Sequence, residues 1–170
     1  IAEVYKDITD QTMLYIRTYF RLNTSEIDGR LILLNVENQA NGALAHVEIN
    51  NDTGQERLSL WCYYNGSWHT NDQVYYYDFQ ASQWYELELK VYVNDMNGEF
   101  RVWLDGVERL TRTNVNSTGR GNINRFGIRS QVINGGVAET VWHDSVVAST
   151  SYIGPDIEAV SYTHPEPTRL

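Results

Sequence analysis

A single cysteine, Cys62, leaves no partner for an internal disulfide and no second thiolate for a metal site. Basic residues are also few. Thirteen Lys and Arg against twenty-two Asp and Glu give a net charge of −9, which argues against nucleic acid, because that binding rests on cationic contacts to phosphate. No apolar run approaches the roughly 20 residues needed to cross a bilayer, and the chain opens Ile-Ala-Glu without a basic and apolar leader. A soluble mature or excised segment with no membrane partner is expected. No Gly-rich phosphate loop, zinc-ligand spacing or Gly-x-Ser-x-Gly elbow occurs. No stretch holds a 3.6-residue apolar stripe for three turns, which excludes a helical βαβ rhythm. Phenylalanine is scarce, at four, beside twelve Tyr and five Trp. The aromatic inventory is therefore dominated by rings with a polar tip, which suit half-buried strands and sugar-contacting surfaces.

With 170 residues, 42% hydrophobic and 21% charged, the chain has the size and composition of one globular domain. Apolar and polar residues alternate with period two. In 12–22, Leu14, Ile16, Phe20 and Leu22 fall on one face and Tyr15, Arg17, Tyr19 and Arg21 on the other. Residues 31–36 read as a strand buried on both faces, after the turn signal Asp28-Gly29. In 43–50, Ala45, Val47 and Ile49 oppose His46 and Glu48. In 57–64, Leu58, Leu60 and Cys62 point inward while Ser59, Trp61 and Tyr63 point outward. Asn65-Gly66 supplies the φ > 0 pair of a tight hairpin turn.

Strands are expected over 74–79 and 84–93, then over 99–104 after an Asn97-Gly98 turn, with a short return through Val107 and Leu110 after Asp105-Gly106. The last two, 123–130 and 137–147, flank Asn134-Gly135-Gly136. About ten to thirteen strands with short turns point to an all-β, two-sheet antiparallel sandwich over residues 1–154. Residues 155–170, with Pro165 and Pro167, read as a C-terminal linker or tail. Four Asn-x-Ser/Thr sequons, at Asn23, Asn51, Asn65 and Asn116, leave the compartment open.

Three ordered stretches carry a family resemblance. Trp84-Tyr85-Glu86-Leu87-Glu88-Leu89-Lys90 followed by Val102-Trp103-Leu104-Asp105-Gly106, then Phe126-Gly127-Ile128, then Trp142-His143-Asp144-Ser145-Val146-Val147 with its exit Tyr152-Ile153-Gly154-Pro155, resemble the concanavalin A-like lectin/glucanase superfamily, in particular its laminin G-like carbohydrate-binding modules. The resemblance covers the C-terminal half. It implies a jelly roll, with ligand on a concave face or on rim loops. It also implies an extracellular or cell-surface module joined to other domains of the same polypeptide, and a polysaccharide or oligosaccharide partner.

A sugar offers an apolar C–H face and a rim of hydroxyls, so its site needs aromatic plates and planar hydrogen-bonding groups. Arg17, Tyr19, His46, Trp61, Tyr63, Trp103 and Arg129 are the candidate ligand contacts. Trp61 and Tyr63 serve equally well as cross-strand packing. Trp84 and Trp142 are expected to close the core, and Trp68 and His69 to decorate a loop after the hairpin. One of Tyr75, Tyr76 and Tyr77 at least must be core and one exposed.

The family resemblance also implies a structural calcium held by Asp144 with Glu3 and Asp7, hard oxygen ligands that suit that ion. The alternative for Asp144 is a carboxylate that accepts backbone hydrogen bonds. The Glu-x-Asp-x-x-Glu motif of the superfamily's glucanases is absent, and Glu86 and Glu88 read as a solvated strand face. A non-catalytic binding module therefore leads. A polysaccharide lyase using His46, Arg17, Arg129 and Tyr19, or a glycoside hydrolase, is the enzymatic alternative, and a structural or protein-interaction domain is the third.

Overall fold

The structure, a computed structural model, describes residues 2–155 apart from Glu26, Asp28, Asp52, Thr53 and 134–139; at Ala2, 70–73 and 130–133 it describes the backbone alone. The expected tail and the Asn134-Gly135-Gly136 turn lie outside the described residues.

Eleven strands and one 3₁₀ turn, Thr118–Arg120, make up the described chain. They are β1 (Ala2–Gln11), β2 (Met13–Leu22), β3 (Arg30–Asn38), β4 (Gly42–Asn50), β5 (Arg57–Tyr64), β6 (Ser67–Tyr76), β7 (Trp84–Tyr92), β8 (Gly98–Leu104), β9 (Val107–Val115), β10 (Ile123–Ile133) and β11 (Val141–Ser149). A six-stranded sheet runs β1-β10-β3-β4-β5-β6 and a five-stranded sheet runs β11-β2-β7-β8-β9, every neighbour antiparallel. The chain is thus the expected all-β jelly-roll sandwich.

The inward sets meet between the sheets. Leu14, Ile16, Phe20, Leu87, Leu89, Phe100 and Val102 of the five-stranded sheet share one core with Leu34, Val36, Val47, Ile49, Leu58, Leu60 and Cys62 of the other. Each side chain is removed from water at a gain of roughly 25 cal/mol per Å² of apolar surface. The other parity of every strand faces away from this core, so the sandwich has two outer faces.

Three local features differ from the periodicity. The strand β1 was not expected, because its apolar residues are interrupted by Lys6, Asp7, Thr9 and Asp10; it is an edge strand, and Val4 stays exposed. The strand β6 starts at Ser67 rather than 74, since Asn65 (φ 49°) and Gly66 (φ 79°) form the two-residue turn that sets Ser67 opposite Tyr64. Asn97-Gly98 does not make the corresponding turn. Asn94 Oδ1 accepts the amides of Met96 and Asn97 instead, and Gly98 opens β8, where a Cβ would sit 2.6 Å from the Val115 carbonyl oxygen.

A bulge in β3 also matters for the site. The register passes from Ile32↔Glu48 to Leu34↔Val47, leaving Leu33 as an extra residue. That shift turns Leu34 inward and Asn35 outward, opposite His46.

Candidate functional site

The outer face of the six-stranded sheet carries the densest set of polar and aromatic groups. One row crosses it from Tyr5 through Gly127, Asn35 and His46 to Trp61. His46 stacks on Trp61 with ring centroids 5.2 Å apart and planes 24° from parallel, and lies 5.8 Å from Trp68. Trp68 meets Tyr63 edge to face at 5.9 Å. Arg30 lies 5.0 Å over the Trp61 ring, and Arg120 lies 4.3 Å over Tyr63 and 5.4 Å from Trp68. Gly127 is small for a reason, because a Cβ there would stand 2.6 Å from the Tyr5 ring and 2.7 Å from the Val4 carbonyl.

Beside this row is a floor of buried polar side chains. Glu48, Asn50 and Ser59 are 0% exposed, although their strand parity points them away from the core. Asn50 Nδ2 donates to Glu48 Oε1 (3.1 Å), and Arg57 Nη2 donates to Asn50 Oδ1 (3.3 Å). Trp61 Nε1, Ser59 Oγ and Asn35 Oδ1 are buried and have no hydrogen-bond partner among the described residues. An unsatisfied buried polar atom costs about 1–3 kcal/mol, so native chains keep few of them outside functional sites.

Burial, reinforced by the nearby charges of Arg129 and Arg30, holds the His46 pKa down at about 3. Glu48 Oε2 is 3.8 Å from His46 Nε2, beyond hydrogen-bond distance, and does not offset that burial. At neutral pH the ring is an uncharged imidazole with both an acceptor and a donor nitrogen.

The candidates named from sequence do not share one face. His46, Trp61, Tyr63 and Arg129 lie on the six-stranded sheet, whereas Arg17, Tyr19 and Trp103 lie on the outer face of the five-stranded one. The quartet His46, Arg17, Arg129 and Tyr19 is therefore split between opposite faces. On the five-stranded sheet the residues after β11 fold back as a strap. The Glu88 carboxylate accepts the amides of Ile153 (3.0 Å) and Gly154 (3.1 Å), and Arg17 Nη1 donates to the Gly154 carbonyl (2.5 Å). Tyr152 packs on Trp103 and Tyr15, with centroids at 5.2 and 6.0 Å.

These contacts correct several expectations. Arg17, expected on a wet face, is 5% exposed beneath the strap, and Glu88 is fully buried rather than solvated. Burial raises the Glu88 pKa, and the two amide donors oppose that rise. Tyr19 donates to Glu86 Oε2 (3.0 Å), and Glu86 is buried as well. Trp84 and Trp142 do not close the core; they flank the Arg21 guanidinium at 5.1 and 4.5 Å on the outer face, and Trp142 is exposed.

The carboxylates named for calcium are not assembled. Glu3 pairs with Arg129, and Asp7 pairs with Arg125 (2.7 Å) and accepts from Gln39 (2.7 Å), all at the β1 edge. Asp144 lies on β11 of the other sheet, where Oδ1 accepts the Ser145 amide (2.7 Å). Among the described residues no group of three His, Cys, Asp or Glu side chains could hold a metal ion. This donor set does not fit the ion, because two of its carboxylates are already neutralised by arginine.

Trp68, expected to decorate a loop after the hairpin, lies on β6, and the sequence pattern did not single out Arg30, Asn35 or Arg120. Trp68 was recoverable, since a two-residue turn at Asn65-Gly66 forces it opposite Tyr63 on the same face. Asn35 was hidden by the bulge, and no local signal brings Arg30 or Arg120 over the rings. Of the three consecutive tyrosines, Tyr75 and Tyr77 pack on the core and Tyr76 is exposed, as the alternation requires.

No protein-family model and no curated sequence matches the chain. Solved structures do. The chain is similar to an endo-β-1,4-glucuronan lyase from the fungus Trichoderma reesei (TM-score 0.63, 15% identity, 88% of this chain and 74% of that one). It is similar to a tetrameric galectin from the ball sponge Cinachyrella sp. (TM-score 0.55, 16% identity, 89% and 100%). It is also similar to an alginate lyase from Pseudomonas aeruginosa (TM-score 0.59, 10% identity, 82% and 65%). The shared feature is the concanavalin A-like jelly roll, and identities this low carry the fold alone.

Proposed function

We propose that this concanavalin A-like jelly roll is a carbohydrate-binding module of an extracellular polypeptide, and that it holds a polysaccharide on the outer face of its six-stranded sheet. The observation that carries this reading is the row Asn35, His46 and Trp61 beside Ser59, in which stacked aromatic rings adjoin buried polar atoms with no partner among the described residues. A sugar ring satisfies both halves of that pattern. Its C–H face covers the rings, and its hydroxyls both donate and accept. That fold neighbours include a galectin and two polysaccharide lyases is consistent with a sugar partner. A glycan array of neutral and acidic oligosaccharides tests the proposal; a folded sample that binds nothing refutes it.

A second reading is favoured by one observation, the neutral His46 beside Arg129 and Arg30. The guanidinium groups would neutralise a uronate carboxylate, and the bound carboxylate would raise the basicity of the imidazole toward that of a general base. Absorbance of an unsaturated uronate, followed after adding glucuronan, alginate or pectin, decides it; a flat trace across all three removes the lyase reading.

A further inference from the structure

The six-stranded sheet's outer face continues past the aromatic row. Two residues on, Glu48 pairs with Ser59; two further, Arg30, Asn50, Arg57 and Tyr76 form the last row before the loops. There the surface opens into a cavity of about 530 Å³, within the range of small-ligand pockets. Its walls include Ser25, Asn51, Gln55, Glu56, Tyr76 and Asp78, from three different loops and the end of β6.

The walls are built. Glu56 accepts the Ile27 amide (2.9 Å) through Oε1 and the Phe79 amide (3.2 Å) through Oε2, so one carboxylate ties the β2–β3 and β6–β7 loops to its own. Asn51 Nδ2 donates to the Ile27 carbonyl (2.9 Å). That bond uses the amide nitrogen, and Oδ1 of Asn51, a lining residue, is buried with no partner among the described residues. Tyr76, by contrast, is 51% exposed, with its ring available at the mouth.

We infer that this cavity is a second subsite of the same binding surface, and that it takes an uncharged sugar ring of a chain that also lies over Trp61. The inference rests on the proposed carbohydrate function. Tyr76 supplies the stacking plate, Asn51 Oδ1 a fixed acceptor, and Gln55, Asp78 and Ser25 further hydrogen-bonding groups. The cavity lining contains two carboxylates and no Lys or Arg among the described residues, which favours an uncharged ring over a uronate or phosphate at this subsite. Trp61 and Arg57 are four residues apart on β5, about 13 Å at 3.3 Å per residue, and Tyr76 is one strand further. One ring cannot bridge that span, so the ligand is an oligosaccharide.

The test is titration of the wild type, Trp61→Ala, Tyr76→Ala and Tyr76→Phe with β-1,4-linked gluco-, xylo- and manno-oligosaccharides, from disaccharide to octasaccharide. Wild-type affinity should climb with chain length. Tyr76→Ala should lose about tenfold for the longest chains and nothing for the shortest, Tyr76→Phe should match the wild type, and Trp61→Ala should weaken every length. If Tyr76→Ala follows the wild type at every length, or loses equally at all lengths, the subsite is wrong while a Trp61 effect keeps the face reading. If none of these neutral ladders binds, the subsite falls, and the glycan array decides separately whether the face holds an acidic chain. Because Tyr76 is exposed, an unchanged melting temperature shows that its variants remain folded.

Discussion

His46 and Trp61 stand directly opposite each other on β4 and β5, and their rings stack at 5.2 Å on the outer face of the six-stranded sheet. The indole N–H is buried, with no hydrogen-bond partner among the described residues. The stacked rings form a plate on that face. Trp103 is the contrasting case, because its ring packs against Tyr15 and Tyr152 under the strap.

The two tryptophans should therefore separate cleanly. Trp61→Ala is expected to weaken glycan binding by about tenfold or more, as truncation of a buried aromatic anchor does, with the fold retained. Trp103→Ala should leave binding unchanged and lower stability by about 2–3 kcal/mol. Titration and chemical denaturation of both variants check this, and the reverse pattern would move the site to the five-stranded sheet.

Glu88→Gln removes a charge-assisted acceptor from the two strap amides. The variant keeps one acceptor oxygen but turns an NH2 toward the other strap amide, and leaving that buried donor unpaired should cost about 1–3 kcal/mol. Limited proteolysis should then cut near 151–155 faster than in the wild type. Glycan binding on the opposite face should not change, and a parallel loss of binding would mean that the faces are coupled.

Burial holds two histidines neutral, with the pKa of His46 lowered to about 3 and that of His143 to about 4. The unfolded chain takes up protons near pH 6.5, so between the two values it binds more protons than the fold. The stability from each histidine is present above about pH 6.5 and is lost as pH falls toward its folded value. Glu88 and Asp105 have the opposite sign, since burial raises both carboxyls. The His46 contribution is therefore the difference between the wild type and His46→Gln. That difference should shrink by about 1.4 kcal/mol per pH unit below pH 6.5, and an NMR titration should find the ring uncharged at pH 5.

Calcium should not change the melting temperature. Binding through Glu3 and Asp7 would have to displace Arg129 and Arg125, and Asp144 sits on the other sheet. Thermal melts with added calcium and with a chelator measure it; a clear calcium-dependent rise would show a site built from other ligands.

Much of the architecture is legible in the chain. Alternation in 12–22, 43–50 and Arg57–Tyr64 assigns each side chain to the core or to an outer face, because the strand period is two. The Asn65-Gly66 turn, with both residues at positive φ, sets the pairing of β5 with β6 and hence Trp68 against Tyr63. What alternation cannot assign is which sheet a strand joins or what later covers its outer face. β1 and β2 are consecutive yet enter different sheets, β10 inserts between β1 and β3, and a strap from beyond β11 buries Arg17 and Glu88. Those are contacts between residues far apart in sequence, chosen by the packing of the whole sandwich. Local pattern therefore decided which residues could form a site and set Trp68 against Tyr63, while long-range pairing brought Asn35, His46 and Trp61 into one row and packed Trp103 against Tyr15 and Tyr152.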